Sequence, residues 1–123
     1  MRIKSMELAW IVVKDLKKAI KFYTETVGLK LIEEHEAYGW AELQGHEEGA
    51  RLGIAQASSQ EPTQPGSNAV VTFTVENIEE ALGDLKKNGA KFMGEILEVP
   101  GHVKMQSVLD SDGNHFQIVQ KLY

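Results

Sequence analysis

The sequence predicts an α+β fold built from two βαβββ modules. Three observations carry this: residues 8–20 repeat the pattern of residues 70–82, a strand switches to a helix at the same place in each copy, and three strand-like runs follow each helix. A chain of 123 residues fits one domain, 1–123, with module one at 6–57, a connector at 58–68 and module two at 69–121.

Each element has its own warrant. Leu8-Ala9-Trp10-Ile11-Val12-Val13 is a β-rich apolar run. Leu16, Ala19, Ile20, Tyr23 and Val27 then recur at helical spacing, with Asp15 placed to cap the start and Gly28 to end the helix in a left-handed conformation. Strands are expected at 29–35, 38–44 and 51–57. In the second copy 70–75 is the strand, and Ile78, Ala81, Leu82 and Leu85 form the helix stripe. Asn77 with Glu80 reads as a capping-box-like start, Glu79, Glu80, Lys86 and Lys87 suit the helix dipole, and Asn88-Gly89 closes the helix. Strands at 91–98, 102–109 and 115–120 complete the module. The Pro, Gly and Ser content of 58–68 marks the connector.

Composition narrows the function classes. The net charge of −5 disfavours nucleic acid, which is bound by clustered Lys and Arg; Lys14, Lys17, Lys18 and Lys21 read as one solvated helix face. No apolar run has membrane-spanning length, and the amino terminus lacks the pattern of a secretory signal, so a soluble, cytoplasmic protein is expected. The absence of cysteine excludes disulfide and thiolate chemistry.

The modular order, together with Val13-Lys14-Asp15-Leu16, the stretch from Phe22-Tyr23 to Val27-Gly28-Leu29, and Asp110-Ser111-Asp112-Gly113-Asn114-His115-Phe116, resembles the vicinal-oxygen-chelate superfamily of glyoxalase I, bleomycin-resistance proteins and extradiol dioxygenases. The resemblance implies eight strands in an open, half-barrel-like sheet with helices outside and a pocket inside, and a homodimer. Metal-using members place ligands on the first and last strand of each module, which map here to Leu8, Gly53, Val70 and Gln117. Leu8 and Val70 have no lone-pair donor and Gly53 has no side chain, so only Gln117 is able to coordinate, and exchanging modules between subunits restores nothing. Neither a metal nor another cofactor is therefore expected. His35, His46, His102 and His115 show no zinc-motif spacing, and Asp110 to Gly113 reads as a tight turn rather than a calcium loop.

Strand alternation turns the resemblance into a list of pocket residues. Trp10, Trp40, Glu42 and Arg51 from module one, and Thr72, Met105, Ser107, His115 and Gln117 from module two, are the expected ligand-binding residues; the inward facing of Met105 and Ser107 follows from the resemblance. The tryptophans would stack on a planar ligand or hold a cation while the polar groups orient it. The bland alternative makes the tryptophans core or interface filler and Arg51 with Glu42 a cross-strand ion pair. The functional expectation is metal-independent binding or sequestration of a small aromatic or amphipathic molecule, as in bleomycin-resistance proteins. The alternatives are a lyase, isomerase or dioxygenase using displaced metal ligands or acid–base chemistry from His115 and Glu42, and an interaction module with a packed pocket.

Overall fold

The computed structural model describes residues 2, 4, 6–59, 63–66 and 70–123. Parts of the amino-terminal stretch and of the expected connector lie outside the described residues. The chain divides into two compact units, 1–69 and 70–123, and the eight strands divide between them into two open four-stranded sheets.

In the first unit the strands are β1 (Leu8–Val13), β2 (Lys30–His35), β3 (Trp40–Gln44) and β4 (Arg51–Gln56), ordered β1-β4-β3-β2. β1 runs parallel to β4, whereas β4, β3 and β2 form an antiparallel meander. Ile11, Ala41, Leu43, Leu52 and Ile54 are buried with Leu16, Ala19, Ile20 and Tyr23 of the helical segment. Burial alternates with period two along β3, whereas β1 buries Ile11, Val12 and Val13 in succession and β4 buries Leu52 to Ile54; the helical segment adds its apolar stripe to this core.

Helix α1 (Leu16–Lys21) starts where expected, with the Asp15 carboxylate accepting from Lys18 N at 3.1 Å. It does not continue as an α-helix to Val27. Phe22–Thr26 widens into a π-helical turn, and the Leu29 N–H returns to Tyr23 O across Gly28 at φ 97°. Tyr38, expected at the start of a strand, belongs instead to a 3₁₀ turn, Glu36–Tyr38, so β3 begins at Trp40.

In the second unit β5 (Val71–Thr74), β6 (Lys91–Val99), β7 (Val103–Leu109) and β8 (His115–Lys121) take the order β5-β8-β7-β6, the same topology as in the first unit. Val70 precedes β5 rather than opening it. Helix α2 (Ile78–Lys87) buries Ile78, Leu82 and Leu85, and Asn77 Oδ1 accepts from Glu80 N at 2.9 Å. β6 is the outer strand of its sheet, and its pairing with β7 shifts register between Met93 and Leu97. Gly94 takes φ 70° there, and the buried Gln106 amide donates to the carbonyls of Met93 and Gly94 at 3.0 and 3.1 Å. A bulge of this kind leaves carbonyls without ladder partners, and the glutamine supplies them.

Both units use a glutamine at the end of the central strand to hold the start of the helix. Gln56 Oε1 accepts from Leu16 N at 2.8 Å while its amide donates to Lys14 O, and Gln120 Oε1 accepts from Ile78 N at 2.8 Å. These N–H groups belong to the first turn, where a helix has no partner of its own to offer. The asparagine or aspartate cap and the glutamine thus satisfy different members of the same unpaired set.

Candidate functional site

The open face of the first sheet follows from its register. Trp10 and Glu42 flank Gly53, Leu8 and Gln44 flank Arg51, and Trp40 lies beside Ala55. All four site residues expected from module one therefore share one face. Trp10 is 42% exposed, so it is not core filler.

Gly53 explains how two indoles fit there. A methyl group built on Gly53 would lie 2.6 Å from Trp40 Cζ2 and 2.9 Å from Trp10 Cβ, both far inside van der Waals contact. The Trp40 ring occupies the space that any side chain at position 53 would need. Its Nε1–H donates to Glu42 Oε2 at 2.9 Å, and its centroid lies 6.1 Å from that of Trp10 with the planes inclined at 59°. This spacing is within the range of favourable aromatic pairs.

A charged network braces the indole. Arg51 Nη1 donates to Glu42 Oε1 at 3.0 Å and to Glu33 Oε2 at 2.5 Å, and Nε2 of His35 lies 3.0 Å from Glu33 Oε1. Glu33 and Glu42 face one another directly across β2 and β3, an arrangement that repels unless a cation sits between them. The Glu42 and Glu33 carboxylates push the Arg51 pKa up, while His35 and then Arg51 hold the Glu33 carboxyl below its ordinary value. The cross-strand ion pair anticipated as a bland alternative is present, and it is tied to the tryptophan.

An open cavity of about 580 Å³ adjoins this network, lined by Glu7, Leu8, Glu42, Gln44, Gly49 and Arg51. Its volume is in the range of small-molecule sites. Sequence reasoning missed Glu7, Glu33, His35, Gln44 and Gly49. For Glu33 the reason is a register shift between Leu31 and Glu33, which breaks the alternation that parity counting relies on.

The second sheet gathers the other five residues on one face of its own. Thr72 pairs with Gln117, which pairs with Ser107; Met105 pairs with Val119; His115 pairs with Leu109. Gln117 Nε2 lies 3.9 Å from Met105 Sδ, a weak donor–sulfur contact. Thr72 is exposed and the other four are partly exposed. On the opposite face Gln106, Val108, Phe116 and Ile118 are buried.

The Asp110 loop is a turn closed on itself. Asp110 Oδ1 accepts from the backbone N–H groups of Asp112 and Asn114 at 2.9 Å, and Oδ2 accepts from the Asn114 amide at 3.0 Å. Its carboxylate is committed to shaping the β7–β8 connection. Among the described residues no group of three or more His, Asp or Glu side chains is arranged to hold a metal ion.

A model of the Glyoxalase/Bleomycin resistance protein/Dioxygenase superfamily matches residues 2–118. The chain belongs to this superfamily. Among solved structures, the superfamily fold recurs in TnmS3, an antibiotic binding protein from Streptomyces sp. CB03234, at TM-score 0.83 and 23% identity over 98% of each chain. A superfamily member from Sphaerobacter thermophilus DSM 20745 matches at TM-score 0.80 and 19% identity, covering 97% of this chain and 98% of its own. TioX from Micromonospora sp. ML1 matches at TM-score 0.73 and 15% identity, covering 96% and 99%. A comparison with curated protein sequences found no match.

The four positions where metal-using superfamily members would place their ligands do not suit a metal in this chain. Leu8 and Val70 are hydrocarbon, and Gln117 alone carries a donor. At Gly53 the obstacle is spatial as well as chemical, because the Trp40 ring fills the room a ligand side chain would take.

Proposed function

We propose that this glyoxalase-superfamily protein binds and sequesters a small aromatic or amphipathic molecule without using a metal. The observation that carries the reading is the Trp40 indole seated on Gly53, which replaces a liganding side chain with an aromatic wall beside the exposed Trp10. An open cavity of about 580 Å³, lined by Glu7, Leu8, Glu42, Gln44, Gly49 and Arg51 and not by either tryptophan, shares Glu42 with that wall and has room for a small molecule. The shared fold of an antibiotic binding protein supports the reading by precedent. The rival acid–base reading draws on Glu42, whose two oxygens already accept from Arg51 and Trp40.

The test joins metal analysis to ligand titration. Protein dialysed without chelator is expected to carry far less than one divalent ion per chain, and planar aromatic compounds are expected to quench its tryptophan fluorescence equally with and without added metal. Trp10→Ala should weaken that binding by about 2 kcal/mol, the scale of an aromatic anchor. A stoichiometric metal, or affinity that rises when metal is added, overturns the proposal. The same reading takes the chain as a homodimer, for which light scattering should return twice the monomer mass.

A further inference from the structure

We infer that Arg51 is a positioning residue rather than a receptor for a ligand anion, and that the site takes neutral or cationic planar aromatics in preference to anionic ones. This rests on the proposed aromatic-binding reading and specifies its ligand class.

An arginine in a cavity wall ordinarily invites the opposite conclusion, since guanidinium groups recognise carboxylates and phosphates. Here both hydrogens of Nη1 are already given to protein carboxylates, one to Glu33 and one to Glu42, so an incoming anion would meet only the Nη2 and Nε hydrogens of a guanidinium whose charge is already shared by two carboxylates. One positive charge lies against two negative ones, and Glu7 joins Glu42 as a second carboxylate in the cavity lining. A ligand carboxylate brought to this guanidinium meets a net negative neighbourhood. It gains one attraction and incurs several repulsions, and at separations shorter than the Debye length screening weakens these without erasing them.

What Arg51 accomplishes lies one residue further on. It fixes Glu42 Oε1, Glu42 Oε2 fixes the Trp40 N–H, and Gly53 lets the ring lie against the sheet. The chain from guanidinium to indole sets the plane of one aromatic wall before any ligand arrives. Preorganised walls raise affinity by sparing the ordering cost of binding. Losing the brace should thus weaken neutral aromatic ligands as well, and anionic ones further, because the one attraction goes with it.

Calorimetric titration with naphthamide, naphthoate and naphthylmethylammonium separates the possibilities, because the three share one ring system and differ in charge. Naphthoate is expected to bind about tenfold more weakly than naphthamide, the ammonium at least as tightly as the amide. Arg51→Gln should lower affinity for naphthamide and also reduce the near-ultraviolet circular dichroism of Trp40, read in a Trp10→Phe background. Glu33→Gln, a change at a half-exposed side chain that leaves Glu42 and Trp40 paired, should narrow the gap between naphthoate and naphthamide. Naphthoate binding more tightly than naphthamide, with Arg51→Gln abolishing only that preference, overturns the inference but leaves aromatic binding standing. An unchanged gap in Glu33→Gln also overturns it. Failure of all three compounds to bind removes the aromatic-binding reading and the inference with it.

Discussion

Replacing Gly53 by alanine asks how tightly the open face of the first sheet is filled. The added methyl meets the six-membered ring of Trp40 on one side and the Trp10 Cβ, which cannot swing away, on the other. The indole must leave its place, breaking its bond to Glu42. Overpacking of this kind costs about 1–3 kcal/mol, which denaturant titration will measure. Gly53→Ala combined with Trp40→Ala should recover part of the loss, because the obstacle is then gone. Glu33 makes a second residue-scale prediction. Its carboxyl is held below the ordinary value of 4.5, first by His35 and then by Arg51. A depressed folded-state value means that its stabilising contribution is present above 4.5 and is lost as the pH falls through the lower folded-state value. Carboxyl NMR should show Glu33 titrating below 4.5, and His35→Ala should move that titration upward; no movement would remove His35 as the cause.

At the scale of elements, the two glutamine anchors make the repeat testable. Gln56→Leu and Gln120→Leu each leave a first-turn N–H without its partner, at a cost of about 1 kcal/mol. The anchors share no hydrogen-bond partner, so the double variant should add the two effects to within about 0.5 kcal/mol by thermal or chemical denaturation. A cost confined to one module would show that the device is not equivalent in both. These anchors also mark the limit of what the sequence discloses. The order of strands and helices is readable because it rests on local signals: the β-rich run of β1, the caps Asp15 and Asn77, and Gly28. Gln56 and Gln120 give no such signal, since each acts on a helix about 40 residues earlier. The π-helical turn at Phe22–Thr26 is hidden for a related reason, because its residues keep an ordinary helical pattern while the hydrogen bonding widens. On the open face Trp10, Trp40, Glu42 and Arg51 can be placed by alternation once the family resemblance says which face is open. Glu33 cannot, because the irregular pairing near Leu31 changes which side it faces.

At the scale of the whole molecule, the repeat makes one topology serve two chemically different sheets. The pair that carries Trp10 beside Gly53 in the first is Thr72 beside Gln117 in the second. The backbone equivalence is legible in the sequence, while the divergence of side chains that makes a site is legible only residue by residue. That is why membership of the superfamily follows readily from the order of segments, and the ligand does not. The net charge of −5 belongs to this scale too, and it sets the sign of the field that any small molecule meets on approach.

The register shift in β6 bears on how the protein behaves at high concentration. β6 spans nine residues at the margin of its sheet and exposes Met93, Ile96, Leu97 and Val99, the composition of a segment prone to stack into fibrils. A flat strand of that length would offer a continuous template to another chain. The kink at Gly94, held by the Gln106 amide, divides it into two shorter runs. Gln106→Leu should therefore lower stability by about 1–3 kcal/mol, because the bulge carbonyls lose their donor, and, at temperatures where the variant is still folded, shorten the lag before thioflavin-T fluorescence rises, with the effect growing as protein concentration increases. An unchanged lag would mean that the edge is protected by other means. A shortened lag would mean that one buried amide guards colloidal stability from the side of the sheet opposite the apolar ladder it interrupts.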